Sequence, residues 1–433
     1  MSPCPVGPVD FGEFVRTAGS LVVQPRMGFG AQAVMRAGLA ATKAADATTV
    51  GTITLDSYTR VGDLAAAERA LCEGTELNGY PIVTHGPELT ARVLDGIRDA
   101  CFPVQVRHGS AVPRDIFAAL VANGINATEG GPVSYCLPYG RTPLAESVRN
   151  WAECADRFTA LRDLGVEPHL ETFGGCMLGQ LCPPSQLVAI SVLEAVFFHH
   201  HGLRSLSVSY AQQTNPAQDH EAVLALRRLC TELLPPDSWH VVVYAYMGAY
   251  PETEAGAYLL LGKAAELAVT AGAQRLIVKT VAESRCIPTV EENVAALEHA
   301  AAVARRSVPA GATASVDSQT YAEARALVDA VLDLDADPGR ALLAAFARGY
   351  LDIPYCVHPD NAGRTRSYLD EDGALRWAGT GTLPLAHLVS TTHPRRVTSA
   401  GLLADLSYVR RTHDDQGREW RLVSQHQSLL TTG

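Results

Sequence analysis

The sequence predicts an α/β chain closed into a (β/α)8 barrel, with a C-terminal helical and irregular extension. Three observations predict it. Over residues 1–310, short segments rich in β-branched residues alternate with apolar stretches of helical length. The short segments are apolar along most of their length, as strands covered on both faces must be. Charged residues also recur where those segments stop: Arg26, Arg60, Arg107 and Glu129. Strand ends of one polarity line the mouth of such a barrel, where ligands bind.

In order, the strand candidates are LVVQP (21–25), TTVGTITL (48–55), YPIVT (80–84), FPVQV (102–106) and INATE (125–129). PHLETF (168–173), LSVSY (206–210), HVVVYAY (240–246) and RLIVKT (275–280) follow. Helical stretches such as AQAVMRAGLAATKAA (31–45) and AGAYLLLGKAAELAVTAGA (255–273) separate them. Nine candidates exceed eight staves, so one lies outside the ring. Residues 311–433 lose the alternation and read as two helices, an extended loop and a polar tail, either packed on the barrel or serving as an interaction segment.

The 433 residues suit a barrel with an appendage, and 47% hydrophobic against 19% charged content describes a globular chain. A net charge of −11 and a pI near 5.7 argue against nucleic acid as a partner, because no long basic run offsets phosphates. The ten cysteines form no C-x-x-C pair. No apolar run is long enough to span a bilayer, and MSPCPVGPVDFGEF lacks the order of a signal peptide. The expectation is a reduced, soluble, cytoplasmic protein without membrane contact.

Guanidinium forks match carboxylates bidentately, and a lone Glu among them suits an ammonium group. Arg26, Arg60, Arg107 and Glu129 therefore imply a small dicarboxylic amino acid as ligand. The ordinary alternative is that acids within the protein neutralise the arginines, with Asp56 as one candidate. In ATEGGPVSYCLPYGR, Tyr135 and Tyr139 flank Pro138 and can donate to a carboxylate while closing the pocket, or simply pack under the loop. Lys279 ends a strand four residues before Glu283. It can serve as a Schiff-base nucleophile of an aldolase, hold polyol hydroxyls with Glu283, or form a plain ion pair. His85 and His108 sit at predicted strand ends as further pocket candidates, whereas the run His199–His201 reads as a solvated helix end.

The segments QPRMGFG, TITLDSYTR, LNGYPIVTHG, FPVQVRHGS, ATEGGPVSYCLPYGR, ETFGG, YMGAYP and IVKTVAE, in this order, resemble the large (epsilon) subunits of glutamate mutase, or methylaspartate mutase. The resemblance spans nearly the whole predicted barrel. It implies a radical carbon-skeleton rearrangement of L-glutamate to (2S,3S)-3-methylaspartate that depends on adenosylcobalamin. By the same resemblance, the substrate clamp falls on Arg26, Arg60, Arg107, Glu129, Tyr135 and Tyr139. Contacts to the coenzyme fall on Gly28, Asn78, Pro138, Phe173, Tyr250, Lys279, Glu283 and Ile287, with Lys279 and Glu283 on the adenosyl ribose.

Cobalamin carriers of this kind use D-x-H-x-x-G for the lower axial histidine, and none of the fourteen histidines here sits in that pattern. The resemblance thus implies a separate small cobalamin-binding subunit, and a homodimer of this chain within a heterotetramer. Two departures stand out: Tyr244 where better-known members carry His, and Tyr250 where they often carry Phe.

Overall fold

The structure is a computed structural model that describes residues 9–177, 181–309, 318–389 and 397–431, with side chains through residue 419. Eight parallel strands form one sheet: β1 (Val22–Gln24), β2 (Gly51–Thr54), β3 (Val104–Arg107), β4 (Ala127–Gly130), β5 (His169–Thr172), β6 (Ser205–Ala211), β7 (Trp239–Tyr244) and β8 (Arg275–Ile277). From β2 to β8 each pairs with its sequence neighbour, and β1 pairs with β8. The ring closes between β1 and β2, where Val23 N–H donates to the Thr48 carbonyl at 2.9 Å beside a parallel bridge from Val23 to Thr49. Helices surround this sheet, as a (β/α)8 barrel requires.

The ninth strand candidate, YPIVT, is corrected. Tyr80 makes one isolated bridge to Leu55, and the chain then enters the helix Ile82–Leu94. Pro81 has no N–H to extend a ladder. The run is apolar because Tyr80 and Ile82 are buried against the core, not because it joins the sheet. His85 accordingly sits on that helix rather than at a strand end, and its Nε2 lies 3.0 Å from the Gly30 carbonyl.

The lower part of the barrel interior is polar and closed. Arg275 and Glu171 are fully buried and paired, and Gln24, Gln105 and Ser207 add further hydrogen bonds to the pair, while Arg275 Nε has no partner. His169 and His240 stack at 5.3 Å in the same layer. The helix Phe11–Thr17 covers this end and places the Phe11 ring 5.0 Å from the Arg275 guanidinium. A buried ion pair is tolerated when most of its remaining donors and acceptors are met, and this polar layer meets all of the guanidinium nitrogens but Nε.

Helix Pro184–His200 is apolar on all faces because it is covered on all of them. The sheet lies beneath it, and helices Gln319–Leu332 and Pro338–Arg348 pack over it. An antiparallel hairpin, β9 (Arg366–Leu369) and β10 (Leu375–Gly379), follows, then helices Ser399–Leu406 and Tyr408–Thr431. Among the described residues no helix is long and apolar enough to cross a membrane. Among the described residues eight cysteines are free and six of those are buried, whereas Cys101, in an exposed turn, is disulfide-bonded.

Candidate active site

The expected clamp residues gather at the C-terminal ends of β1 to β4. Arg107 closes β3, and its Nε donates to Glu129 Oε2 at 2.7 Å, with both side chains nearly inaccessible. The hydroxyl of Tyr135 donates to Glu129 Oε1. Tyr244, at the end of β7, reaches the same place: Arg107 Nη2 donates to its hydroxyl at 3.2 Å, and that hydroxyl lies 2.7 Å from Glu129 Oε2 and also bonds Glu171. The Tyr244 ring stands 5.1 Å from the Arg107 guanidinium.

Local structure aims these groups. Gly130 has φ +132, and a Cβ there would meet the Trp151 ring at 2.4 Å, so the strand leaves the sheet through a turn that only glycine adopts easily. The following loop is tied down by Glu194 of helix Pro184–His200. Its carboxylate accepts from the backbone N–H of Val133, Ser134 and Gly174 and from the Ser134 hydroxyl. One buried acid thus fixes both the Tyr135 loop and the Phe173 loop. Burial pushes Glu194 up to about 7 against the pull of these four donors.

Burial disfavours the Arg107 charge, but the Glu129 carboxylate overrides it and holds the guanidinium well above its ordinary range. Burial and then Glu129 push Tyr135 up, and burial raises Tyr244, so both phenols stay protonated. His108 follows Arg107 in the chain and is held down to about 3, by burial first and then by the charges of Arg60 and Arg107. It is a neutral imidazole stacked on Trp151 at 5.7 Å.

Arg60 lies on the short helix Ser57–Val61 that follows β2. Its Nε is buried without a hydrogen-bond partner, as are Thr54 Oγ1, Asp56 Oδ2 and His108 Nε2. Asp56 does not neutralise the arginines: its Oδ1 caps that helix by accepting from Tyr58 and Thr59 N–H. Orphaned buried polar atoms are costly, and a cluster of them at a barrel mouth fits a polar ligand.

Arg26, just beyond β1, donates from Nη1 to Glu283 Oε2 at 3.0 Å and keeps 29% of its side chain exposed. The same Oε2 lies 3.5 Å from Lys279 Nζ, which stands 4.8 Å from the Tyr250 ring centre. Burial lowers the Lys279 ammonium, opposed by Glu283. Acids inside the protein therefore do partner two of the three arginines: Glu129 takes Arg107 and Glu283 takes Arg26. The charges of Arg26, Glu129 and Arg107 all act on Tyr139, which ties this group to the first.

The remaining expected residues divide between solvent and core. Tyr139 of the expected clamp is 54% exposed; of the expected coenzyme contacts Ile287 is 56% exposed, Pro138 is half-buried, and exposed Asn78 accepts from Ser57 N–H at 2.9 Å. Gly28 is buried, and a Cβ there would lie 2.2 Å from the Thr54 carbonyl. Phe173 is buried with its ring 5.6 Å from Tyr244 at 82°. Sequence reasoning did not place Tyr244, Glu171 or Glu194 in the site. For Tyr244 and Glu171 a signal existed: a hydroxyl at a strand end and an acid inside an otherwise buried strand.

Residues 11–407 match the family model described as methylaspartate mutase E chain. The glutamate mutase epsilon subunit of Halobacterium salinarum is 32% identical over 395 residues, covering 88% of this chain and 79% of that one. The epsilon subunit of Yersinia enterocolitica is 31% identical over 357 residues, covering 78% and 73%. That of Desulfitobacterium hafniense is 31% identical over 366 residues, covering 80% and 75%.

Proposed function

The chain belongs to the methylaspartate mutase E chain family, and from that premise we propose that it is the catalytic subunit of an adenosylcobalamin-dependent mutase interconverting L-glutamate and (2S,3S)-3-methylaspartate. The observation that carries the reading is the mouth itself. Arg26, Arg60 and Arg107 supply cationic forks for two carboxylates, and Glu129 supplies one buried anion for an ammonium.

The side chains present also suit an adenosyl group. Lys279 and Glu283 offer donors and an acceptor for ribose hydroxyls beside the Tyr250 ring, and Gly28 lets backbone approach closely. When bound, the coenzyme supplies radical chemistry that removes a substrate hydrogen atom and returns it. The protein's part is placement. Arg60 and Arg26 hold the carboxylates while the carbon skeleton comes apart and rejoins, so the fragments stay within bonding distance. Glu129 fixes the amino group, and the aromatic lid of Tyr135, Tyr139 and Phe173 excludes water. The lower axial histidine would come from a separate small cobalamin-binding subunit, with this chain as a homodimer inside a heterotetramer.

The test is an NMR assay of L-glutamate with the purified chain, adenosylcobalamin and a cobalamin-carrying partner. Signals of 3-methylaspartate are expected only when all three are present. Glutamate binding without product would leave a binding barrel. Trapping of a substrate adduct on Lys279 by borohydride, without cobalamin, would replace the mutase with an aldolase.

A further inference from the structure

The hydroxyl of Tyr244 has more claims on it than it can meet. It lies within hydrogen-bond reach of Arg107 Nη2, Glu129 Oε2 and Glu171 Oε1. Arginine can only donate, so the phenol oxygen accepts there. Its single proton can then serve one carboxylate at a time. Behind Glu171 stands Arg275, and beside Glu129 stand Arg107 and Tyr135, so each acid is held by other donors whichever way the proton points. The ring is clamped between the Arg107 guanidinium and the edge of Phe173.

We infer that Tyr244 is a positioning residue of the amino-acid site: it orients Arg107 and supplies Glu129 with a third, movable donor. The inference rests on the mutase reading, in which Glu129 faces the ligand ammonium. With the site empty, the hydroxyl points to Glu129 and completes its hydrogen bonds. An arriving N–H of the ligand takes that lone pair, and the hydroxyl turns to Glu171 Oε1, whose partner oxygen Oε2 already takes Arg275 and Gln105, so ligand binding completes both acids. No bond to hydrogen breaks in this exchange; one O–H rotates. The titratable and charged groups facing Tyr244 are Arg107 from β3, Glu129 from β4, Tyr135 and Cys176 from loops, and Glu171 from β5 with Arg275 behind it.

The test compares the full-length chain with Tyr244→Phe and Tyr244→His. It uses calorimetric binding of L-glutamate from pH 5 to 9, thermal unfolding, and methylaspartate formation with coenzyme and partner. Tyr244→Phe removes one donor from the anionic form of Glu129. The acid limb of glutamate binding is therefore expected to move up by about one pH unit, which is roughly tenfold in affinity on that limb. Affinity at pH 8 should change by less than about threefold. An imidazole keeps one donor and one acceptor, so Tyr244→His should recover most of the shift.

A folded Tyr244→Phe protein with the native affinity and the native acid limb overturns the inference. So does a shift that His does not correct, because the loss then belongs to packing. If Tyr244→Phe fails to fold, Tyr244→Met, which also lacks a donor, takes its place and is read against Tyr244→His in the same way. Wild-type chain that binds glutamate but forms no methylaspartate overturns the mutase reading and leaves this binding comparison intact. Wild-type chain that binds no glutamate overturns both.

Discussion

The floor and the rim of the barrel mouth use similar charged residues in opposite ways. On the floor, Arg107, Glu129, Tyr135, Tyr244, Glu171 and Arg275 are buried and bonded to one another, so the geometry is set before any ligand arrives. At the rim, Arg26 and Lys279 share one oxygen of Glu283, Arg26 is partly exposed, and Arg60 has an orphaned Nε. The floor resembles a preorganised template, in which dipoles do not have to reorganise during reaction. The rim resembles a set of exchangeable contacts, where a ligand carboxylate can replace Glu283 on Arg26. Two parts of one site thus divide the labour between aiming and admission.

The sharpest way to break the comparison is on the floor. Glu129→Ala leaves Arg107 buried without its anion, which should lower unfolding stability by roughly 3–5 kcal/mol in urea titrations. Arg107→Lys keeps the charge but loses the fork that serves Glu129 and Tyr244 together. Turnover should fall roughly 10²–10³-fold with the fold intact by circular dichroism. Native turnover in that variant would remove the template argument.

A second floor prediction concerns pH. His108 is neutral in the folded chain down to about pH 3, whereas an unfolded histidine titrates near its usual 6.5. Its folded value is depressed, so the stability it contributes is present above pH 6.5 and is lost as pH falls from 6.5 toward 3. The shift sets an upper bound of roughly 5 kcal/mol on that loss. His108→Asn should flatten this part of the pH–stability curve, measured by thermal unfolding between pH 4 and 8. An unaltered slope would show that other groups carry the acid sensitivity.

Much of this division was invisible in the sequence, for a physical reason. Apolar β-branched runs mark strands because burial on both faces demands them, so the eight staves could be read directly, together with Arg107 at the end of β3 and Arg26 just beyond β1, whereas Arg60 lies on the helix after β2. YPIVT satisfied the same local rule, and only Pro81 hinted that it would turn into a helix. The partners of the charges were another matter. Arg26 meets Glu283 across 257 residues and Arg275 meets Glu171 across 104, and such pairings depend on which staves lie side by side or face each other. The β9–β10 hairpin escaped notice because its strands are short, unevenly buried and interrupted by Arg366, Ser367 and Arg376. The resemblance to glutamate mutase subunits named site positions, but the three-donor setting of Glu129 emerges only from the closed ring.

At the rim, Glu283→Gln should lower stability by roughly 1–3 kcal/mol, because Arg26 is partly exposed but Lys279 is buried and loses its anion. Its expected signature is selective: the KM for coenzyme rises about tenfold, and less so at high salt, where the native ion pairs are already weakened. An equal rise for glutamate and coenzyme would show that Arg26 and Lys279 act as one unit rather than as exchangeable contacts.

The smallest effect tests whether the rim has a support of its own. Helix Tyr408–Thr431 packs against helix Glu254–Thr270, with Val409 in the apolar cluster of Tyr246 and Tyr250. From it, Asp414 accepts from Thr253 N–H at 2.8 Å, Thr253 Oγ1 at 2.6 Å and Glu252 N–H at 3.2 Å, all in the loop that follows Tyr250. Burial disfavours its charge, but these donors hold the Asp414 carboxyl below its usual range. Asp414→Ala frees that loop without touching the floor, so the coenzyme KM should rise about two- to threefold while glutamate affinity holds. A matching loss of glutamate affinity would mean that floor and rim are one rigid body, and the division drawn between them would fall.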